Sequence, residues 1–157
     1  MEGEDNADRL RDARRREDTT ARLAPAGLRV SSPLTQEQEG LVRRVMDCAF
    51  AVHRILGPGF RERVYQRALS LELDSRGLKF EAEKQIEVRF REWLIPGQRL
   101  DLLVEKFVLV EAKVVPKLRP LHTAQVVSYL KTLDLHIGLL INFNVPVLKQ
   151  GFKRVVR

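Results

Sequence analysis

The chain has 157 residues, 44% of them apolar, which suits one domain with a buried core. No apolar run approaches the length of about 18 residues that a membrane-crossing helix needs, and the stretch from Glu2 to Asp18 is charged where a secretory leader would be apolar, so a cytoplasmic chain without membrane attachment is expected. The formal charge of +7 is uneven: residues 1 to 40 hold 7 Lys/Arg against 9 Asp/Glu, and residues 41 to 157 hold 21 against 12, leaving a basic body that attracts polyanions such as nucleic acid.

Residues 1 to 34 mix charges (Arg14-Arg15-Arg16) with Pro25, Ser31-Ser32-Pro33 and few large apolar side chains, and are expected to form a flexible extension ahead of one domain over 35–157. Thr35 reads as a helix N-cap with Gln38 closing a capping box. Leu41, Val42, Val45, Met46, Ala49, Phe50, His53 and Leu56 follow at helical spacing up to Gly57-Pro58-Gly59. Cys48, the single cysteine, falls within this pattern and reads as core packing. A second helix is predicted from about Phe60 to Ser75, with Val64, Ala68, Leu69, Leu71 and Leu73 on apolar faces and Gly77 closing it. Phe80 to Phe90 alternates as a strand, and Pro96-Gly97 marks the expected turn into the next. After two further strands, Pro120 suits the first turn of a helix carrying Ala124, Val126, Val127, Tyr129, Leu130 and Leu133; Ile137 to Ile141 is a short buried strand, and Val147 to Val156 a weaker last element. The order α-α-β-β-β-α-β implies a mixed sheet with helices on its faces.

Two of these strands carry charge where it is costly. Asp101 interrupts Leu100-Asp101-Leu102-Leu103-Val104, and Glu111 and Lys113 interrupt Val108-Leu109-Val110-Glu111-Ala112-Lys113. Glu111 and Lys113, two apart on a strand, share a face. With Glu105, Lys106 and Phe107 as a three-residue loop, Asp101 lies opposite Glu111 on that face; a two-residue loop would separate the acids. The tip lacks the glycine that such loops favour. Converging carboxylates repel unless a cation neutralises them, and hard oxygen ligands favour Mg²⁺ or Mn²⁺. A nearby lysine can hold an attacking water and stabilise charge on a phosphoryl oxygen, the division of labour in metal-dependent phosphodiester hydrolysis. An isolated match of this kind is also what a surface hairpin with an ion pair would show.

Other residues bear on the choice. Glu62, in the first turn of the second helix, either complements the helix dipole or serves as a third acid, with Tyr65 on the same face able to orient it. Gln125 and Tyr129 share one side of the third helix and could hold a water or a phosphate. His53 and His122 read as helix-packing residues, His122 also within reach of a phosphate at a helix start. Trp93, in a turn, could stack on a base.

Over about residues 38 to 157 the chain resembles the GxxExxY family of the PD-(D/E)XK nuclease superfamily. Gly59, Glu62 and Tyr65 reproduce the naming motif after the run Val52 to Gly59, Asp101 and Glu111-Ala112-Lys113 match the superfamily acids and lysine, Gln125-x-x-x-Tyr129 resembles the Q-x-x-x-Y element of its exonuclease branch, and Gly138 to Asn144 is similar to the last core strand. Leu100 and Lys106 depart from the small residues that relatives often carry there. The resemblance implies a restriction-endonuclease-like α-β-β-β-α-β core with an extra N-terminal helix, Mg²⁺ held by Asp101 and Glu111 with help from Glu62, and water positioned by Lys113. The expected activity is hydrolysis of nucleic acid, DNA before RNA, with Gln125 and Tyr129 in the catalytic set and Lys117, Arg119, Lys131 and His122 on the phosphate backbone. The alternative is a silent nuclease-fold module that binds nucleic acid or a protein partner. No helicase, methylase or target-recognition pattern accompanies the domain, which suits an accessory part of larger protein machinery; oligomeric state stays open.

Overall fold

The computed structural model describes residues 33–157. The expected extension over 1–34 therefore lies, but for its last two residues, outside the described residues. Thr35–Arg157 form one compact unit. Helix α1 (Gln36–Leu56) starts at the expected capping box: the Gln38 N–H donates to Thr35 Oγ1 at 3.2 Å, and the Thr35 N–H donates to Gln38 Oε1 at 2.9 Å. It buries Val42, Val45 and Ala49 of the expected stripe together with Cys48, Ala51 and Val52, while Leu41, Met46, Phe50 and Leu56 are part-buried. His53 is buried as a packing residue, its Nε2 2.8 Å from the Val145 carbonyl oxygen. The chain reverses at Gly57 and Gly59, with φ of 65° and 111°, and enters α2 (Glu62–Ser75), which stops where Leu78 N–H bonds to Leu73 O at 3.0 Å and Gly77 takes a φ of 68°.

Five strands follow in one sheet of order β1-β2-β3-β4-β5: β1 (Phe80–Phe90), β2 (Trp93–Val104), β3 (Val108–Lys113), β4 (Ile137–Asn142) and β5 (Phe152–Val156). Between β3 and β4 runs α3 (Pro120–Leu133), and the short turn α4 (Leu148–Gly151) precedes β5. The β3–β4 pair is parallel and every other pair antiparallel, so the sheet is mixed and β3 central. This is the α-β-β-β-α-β core with an additional N-terminal helix expected from the resemblance.

The turn placed at Pro96-Gly97 is instead at Arg91-Glu92. Phe90 pairs with Trp93 across a two-residue loop in which Arg91 takes a φ of 55°. Pro96 and Gly97 lie inside β2, where Ile86 pairs with Gln98 but Val88 with Ile95, so two residues of β2 oppose Glu87 alone. Such a bulge accepts a proline, which offers no N–H, and a glycine at positive φ, here 107°. The expected turn between strands is therefore a bulge within one strand.

Side-chain alternation gives the sheet two buried faces. Leu109 and Leu140 join Leu103, Val126, Tyr129, Leu130 and Val155 in one cluster with α3. Gly138 lets α3 approach: a Cβ there would stand 2.6 Å from Val126 Cγ1. On the other side Tyr65 of α2 stacks on Phe143, their centroids 4.6 Å apart. Gly151 is equally constrained, because a side chain there would run into the backbone carbonyl oxygen of Asn142. Gly151→Ala is accordingly expected to lower stability by about 1–3 kcal/mol, read as a lower urea midpoint with an unchanged m-value.

Candidate active site

Register decides whether the acids meet. Val104 pairs with Val108 and Leu102 with Val110, leaving Glu105, Lys106 and Phe107 as a three-residue loop; the backbone pairing ends at Leu102 and Val110, one position short of Asp101 and Glu111. Glu105 and Lys106 supply the positive φ without glycine, at 50° and 56°. The loop is tied down from outside: Glu105 N–H donates to the Lys79 carbonyl at 2.8 Å, and Lys79 N–H to Glu105 Oε1 at 2.7 Å. At the next rung the Asp101 side chain enters the ladder, its Oδ2 accepting the Ala112 N–H at 2.8 Å. Glu111 sits between Leu109 and Lys113 on β3 and opposite Leu140 in the parallel register, so it opens toward α3.

Lys113 Nζ donates to Glu111 Oε1 at 2.8 Å, both side chains being largely buried. Glu111 is 3% exposed, and its other oxygen, Oε2, is buried with no hydrogen-bond partner. Glu62, the first residue of α2, comes to the end of β3. There it feels the charges of Lys113 and Asp101 and the Val114 N–H.

The electrostatics follow from three acids around one ammonium. Burial, then the Asp101 charge, push the Glu111 carboxyl from 4.5 to about 7 against the pull of Lys113 and of the Asp101 N–H. Burial also raises Asp101, opposed by the Ala112 N–H, the Gln66 amide, Lys113 and Arg99. Glu62 is raised by burial and Asp101, with Lys113 and the Val114 N–H opposing. Burial works against the Lys113 ammonium. The Glu111 hydrogen bond and the charges of Glu111, Glu62 and Asp101 outweigh it and hold the lysine above its usual range.

A divalent ion fits this chemistry. The acids outnumber the ammonium, their carboxyls are raised first by burial, with the Asp101 charge adding to the shifts of Glu111 and Glu62, and Glu111 Oε2 is a desolvated hard donor lacking a partner. Asp101 and Glu111 are the buried or part-buried carboxyls whose oxygens could face such an ion. Among the described residues no group of three His, Cys, Asp or Glu side chains is gathered closely enough to hold an ion by itself, and Glu62 stands near Asp101 and Lys113 by its electrostatic coupling to both.

The other expected residues divide. Gln125 Nε2 donates to Tyr129 Oη at 3.0 Å, and that hydroxyl lies 3.1 Å from Gln98 Oε1 and 3.4 Å from the Arg99 carbonyl oxygen. The pair thus braces β2 just before Asp101 and has no hydrogen bond to the acids. Lys117, Arg119 and His122 line one cavity of about 260 Å³ with Val115 and Pro116. His122 Nδ1 accepts the Arg119 N–H at 3.0 Å, which leaves Nε2 to carry the proton of the neutral ring. Lys131 is exposed at the other end of α3, nine residues from His122 and about 13 Å along the axis. The Tyr65 hydroxyl does not orient Glu62: it donates to the Gly57 carbonyl at 2.6 Å and accepts the Phe60 N–H at 3.2 Å, fixing the turn into α2. Trp93 is exposed beside the β1–β2 turn, away from the acids in sequence and register.

Three residues of the site were not singled out from the sequence. Gln66 donates to Glu62 Oε1 at 3.3 Å and also supports Asp101. Its signal was the i, i+4 spacing from Glu62. Arg99 lies two residues before Asp101 and close enough to lower its pKa, while pairing with Glu83 at 3.4 Å. Asn142, buried at the end of β4, clamps the backbone just beyond Lys113: Val115 N–H donates to its Oδ1 at 3.1 Å, and its Nδ2 donates to the Val115 carbonyl at 2.8 Å. Asn142→Ala would strand the Val115 N–H, leave the Val115 carbonyl only the 3.5 Å bond from Asn144 Nδ2, and is expected to cost about 1–3 kcal/mol. Chemical denaturation measures it.

A mixed five-stranded sheet between helices, with an acid on one hairpin strand facing Glu-x-Lys on the next, defines a nuclease-like fold and site. A family model described as the PD-(D/E)XK nuclease superfamily matches residues 39–155, and the chain belongs to that superfamily. Comparison with curated proteins and with solved structures gives no match. Among the described residues, no helix is long and apolar enough to cross a membrane.

Proposed function

We propose that the chain is a Mg²⁺- or Mn²⁺-dependent phosphodiesterase of the GxxExxY branch that cleaves nucleic acid, DNA in preference to RNA. The observation that carries this reading is Glu111 Oε2, buried without a partner beside Asp101 and the Lys113 ammonium. Asp101 and Glu111 would hold the ion, which when bound supplies positive charge against the phosphoryl oxygens. Lys113 stays protonated at neutral pH because three carboxylates surround it. It therefore donates a hydrogen bond to the attacking water or to a phosphoryl oxygen and does not abstract a proton. Glu62, with its raised pKa and the Gln66 amide on one oxygen, is the group placed to accept a proton near Lys113. Gln125 and Tyr129 act through β2, holding the segment that carries Asp101 and Arg99. Lys117, Arg119 and His122 hold the sugar-phosphate backbone in their cavity without reading sequence; Lys131 contributes only to the basic field. The body's basic charge suits a nucleic-acid partner, and the proposal includes a role beside other protein machinery in the cytoplasm.

Incubating the full chain with labelled single- and double-stranded DNA and RNA, with Mg²⁺, Mn²⁺ or EDTA, tests the reading. Metal-dependent cleavage that EDTA removes supports it. Salt-sensitive binding without cleavage under either ion would replace it with the binding-module reading.

A further inference from the structure

Helix α2 carries two apolar stripes. Tyr65, Leu69 and Leu73, spaced by four, are buried against the rest of the domain. Val64, Ala68 and Leu71, at i, i+4 and i+7, form a second stripe on the outside, where a surface helix is normally polar. Leu71 is 55% exposed and Val64 41%. With Leu56 at the end of α1, these residues floor an open groove of about 520 Å³. Ile55 and Phe60, in the adjoining segment, are exposed as well. The sequence reading assigned both stripes to apolar packing; the fold has used one.

The rim of the groove is cationic. Arg61, Arg63 and Arg67 line it, and among the described residues none of the three has a carboxylate within ion-pair distance. Two of them sit badly for the helix itself. Arg61 is the N-cap residue and Arg63 lies in the first turn, where the macrodipole disfavours positive charge. Neither packing nor helix stability accounts for three unpaired guanidiniums around an apolar floor. Their chemistry fits an occupant that brings apolar side chains for the floor and carboxylates for the rim.

We propose that the outer face of α2 is a docking groove for an acidic amphipathic segment of a partner protein, which lays leucine-like side chains over Val64, Ala68 and Leu71 and sets carboxylates against Arg61, Arg63 and Arg67. A nucleic-acid backbone would satisfy the arginines but leave the apolar floor uncovered, so a protein segment is the better match. The groove is separate from the phosphodiesterase reading. It shares a helix with Glu62 and Gln66, which point from α2 toward Asp101, so a docked segment would sit on the back of the helix that lines the site.

The probe is a synthetic helical peptide of about 16 residues, leucines at i, i+4, i+7 and i+11 flanked by glutamates, with a scrambled peptide of the same composition. Titrated into the isotope-labelled full chain, the amphipathic peptide is expected to shift backbone amides between Leu56 and Leu71. Binding should weaken about 10-fold on Arg63→Glu plus Arg67→Glu, and similarly on Val64→Asp. These side chains are peripheral, and circular dichroism checks that each variant is folded. Equal binding by the scramble, shifts confined to other residues, or no binding at all would overturn the proposal. So would displacement of the peptide by a single-stranded oligonucleotide shifting the same amides, or self-association of the chain that Val64→Asp abolishes.

Discussion

Asp101→Asn is expected to lower metal-dependent cleavage by about 10²–10³-fold while the protein stays folded and keeps its affinity for nucleic acid. The substitution keeps an oxygen to accept the Ala112 N–H, now received by Asp101 Oδ2 at 2.8 Å, so the rung that joins β2 to β3 survives. What disappears is the negative charge. Asp101 is part-buried, and its ionised form is disfavoured by desolvation, so asparagine relieves that cost as it removes a proposed metal ligand. Single-turnover cleavage with saturating Mg²⁺ measures the first effect, and anisotropy of a labelled oligonucleotide in EDTA the second. Loss of binding in parallel with cleavage would mean that Asp101 holds the fold or the nucleic acid rather than the ion.

Glu111→Gln is expected to abolish cleavage and yet to make the metal-free protein more stable at pH 8. The Glu111 carboxyl titrates near 7 in the folded chain against 4.5 unfolded. Below 4.5 it is protonated in both states and its contribution to stability is fully present. As pH rises toward 7 the unfolded chain releases the proton while the folded one retains it, and that stability is lost. Above 7 the fold carries a buried charge, at a cost bounded by about 3 kcal/mol. Glutamine removes the charge, and the value of about 7 already contains the pull of Lys113, so the net gain at pH 8 is expected to approach that bound, less about 1 kcal/mol for the lost charge-assisted geometry. Added Mg²⁺ should reverse the trend in the parent chain, since it competes with the proton: the rise in Tm on adding the ion should be small at pH 5 and grow through pH 7. Thermal melts at the two pH values, with and without Mg²⁺, separate the outcomes. A Glu111→Gln protein that is less stable at pH 8 would show that the Lys113 pair contributes more than the buried charge costs.

The site was legible in proportion to how local its geometry is. Asp101 and Glu111 could be set on one face from the three residues between Val104 and Val108, because loop length fixes hairpin register and a strand has a period of two. The same logic reached Glu111 with Lys113, and the capping box at Thr35 was spelled out by neighbouring residues. Pro96-Gly97 misled because a proline and a positive-φ glycine mark any break in backbone regularity; the true turn at Arg91-Glu92 contains neither residue type. Gln125 and Tyr129 were rightly set on one helical face, but what that face touches, Gln98 and Arg99, depends on how α3 crosses the sheet.

What the amino-acid order determined by itself was everything set by spacing: the succession of helices and strands, the shared face of the two acids and the lysine, and the basic body. Only tertiary structure decided that the start of α2 would bring Glu62 and Gln66 to the end of β3, that Asn142 would lock the backbone beyond Lys113, and which apolar stripe of α2 would face water. The reason is physical. Spacing along a strand or helix is fixed by covalent geometry within a few residues, whereas these juxtapositions join parts of the chain far apart in sequence and exist only once the helices have packed on the sheet.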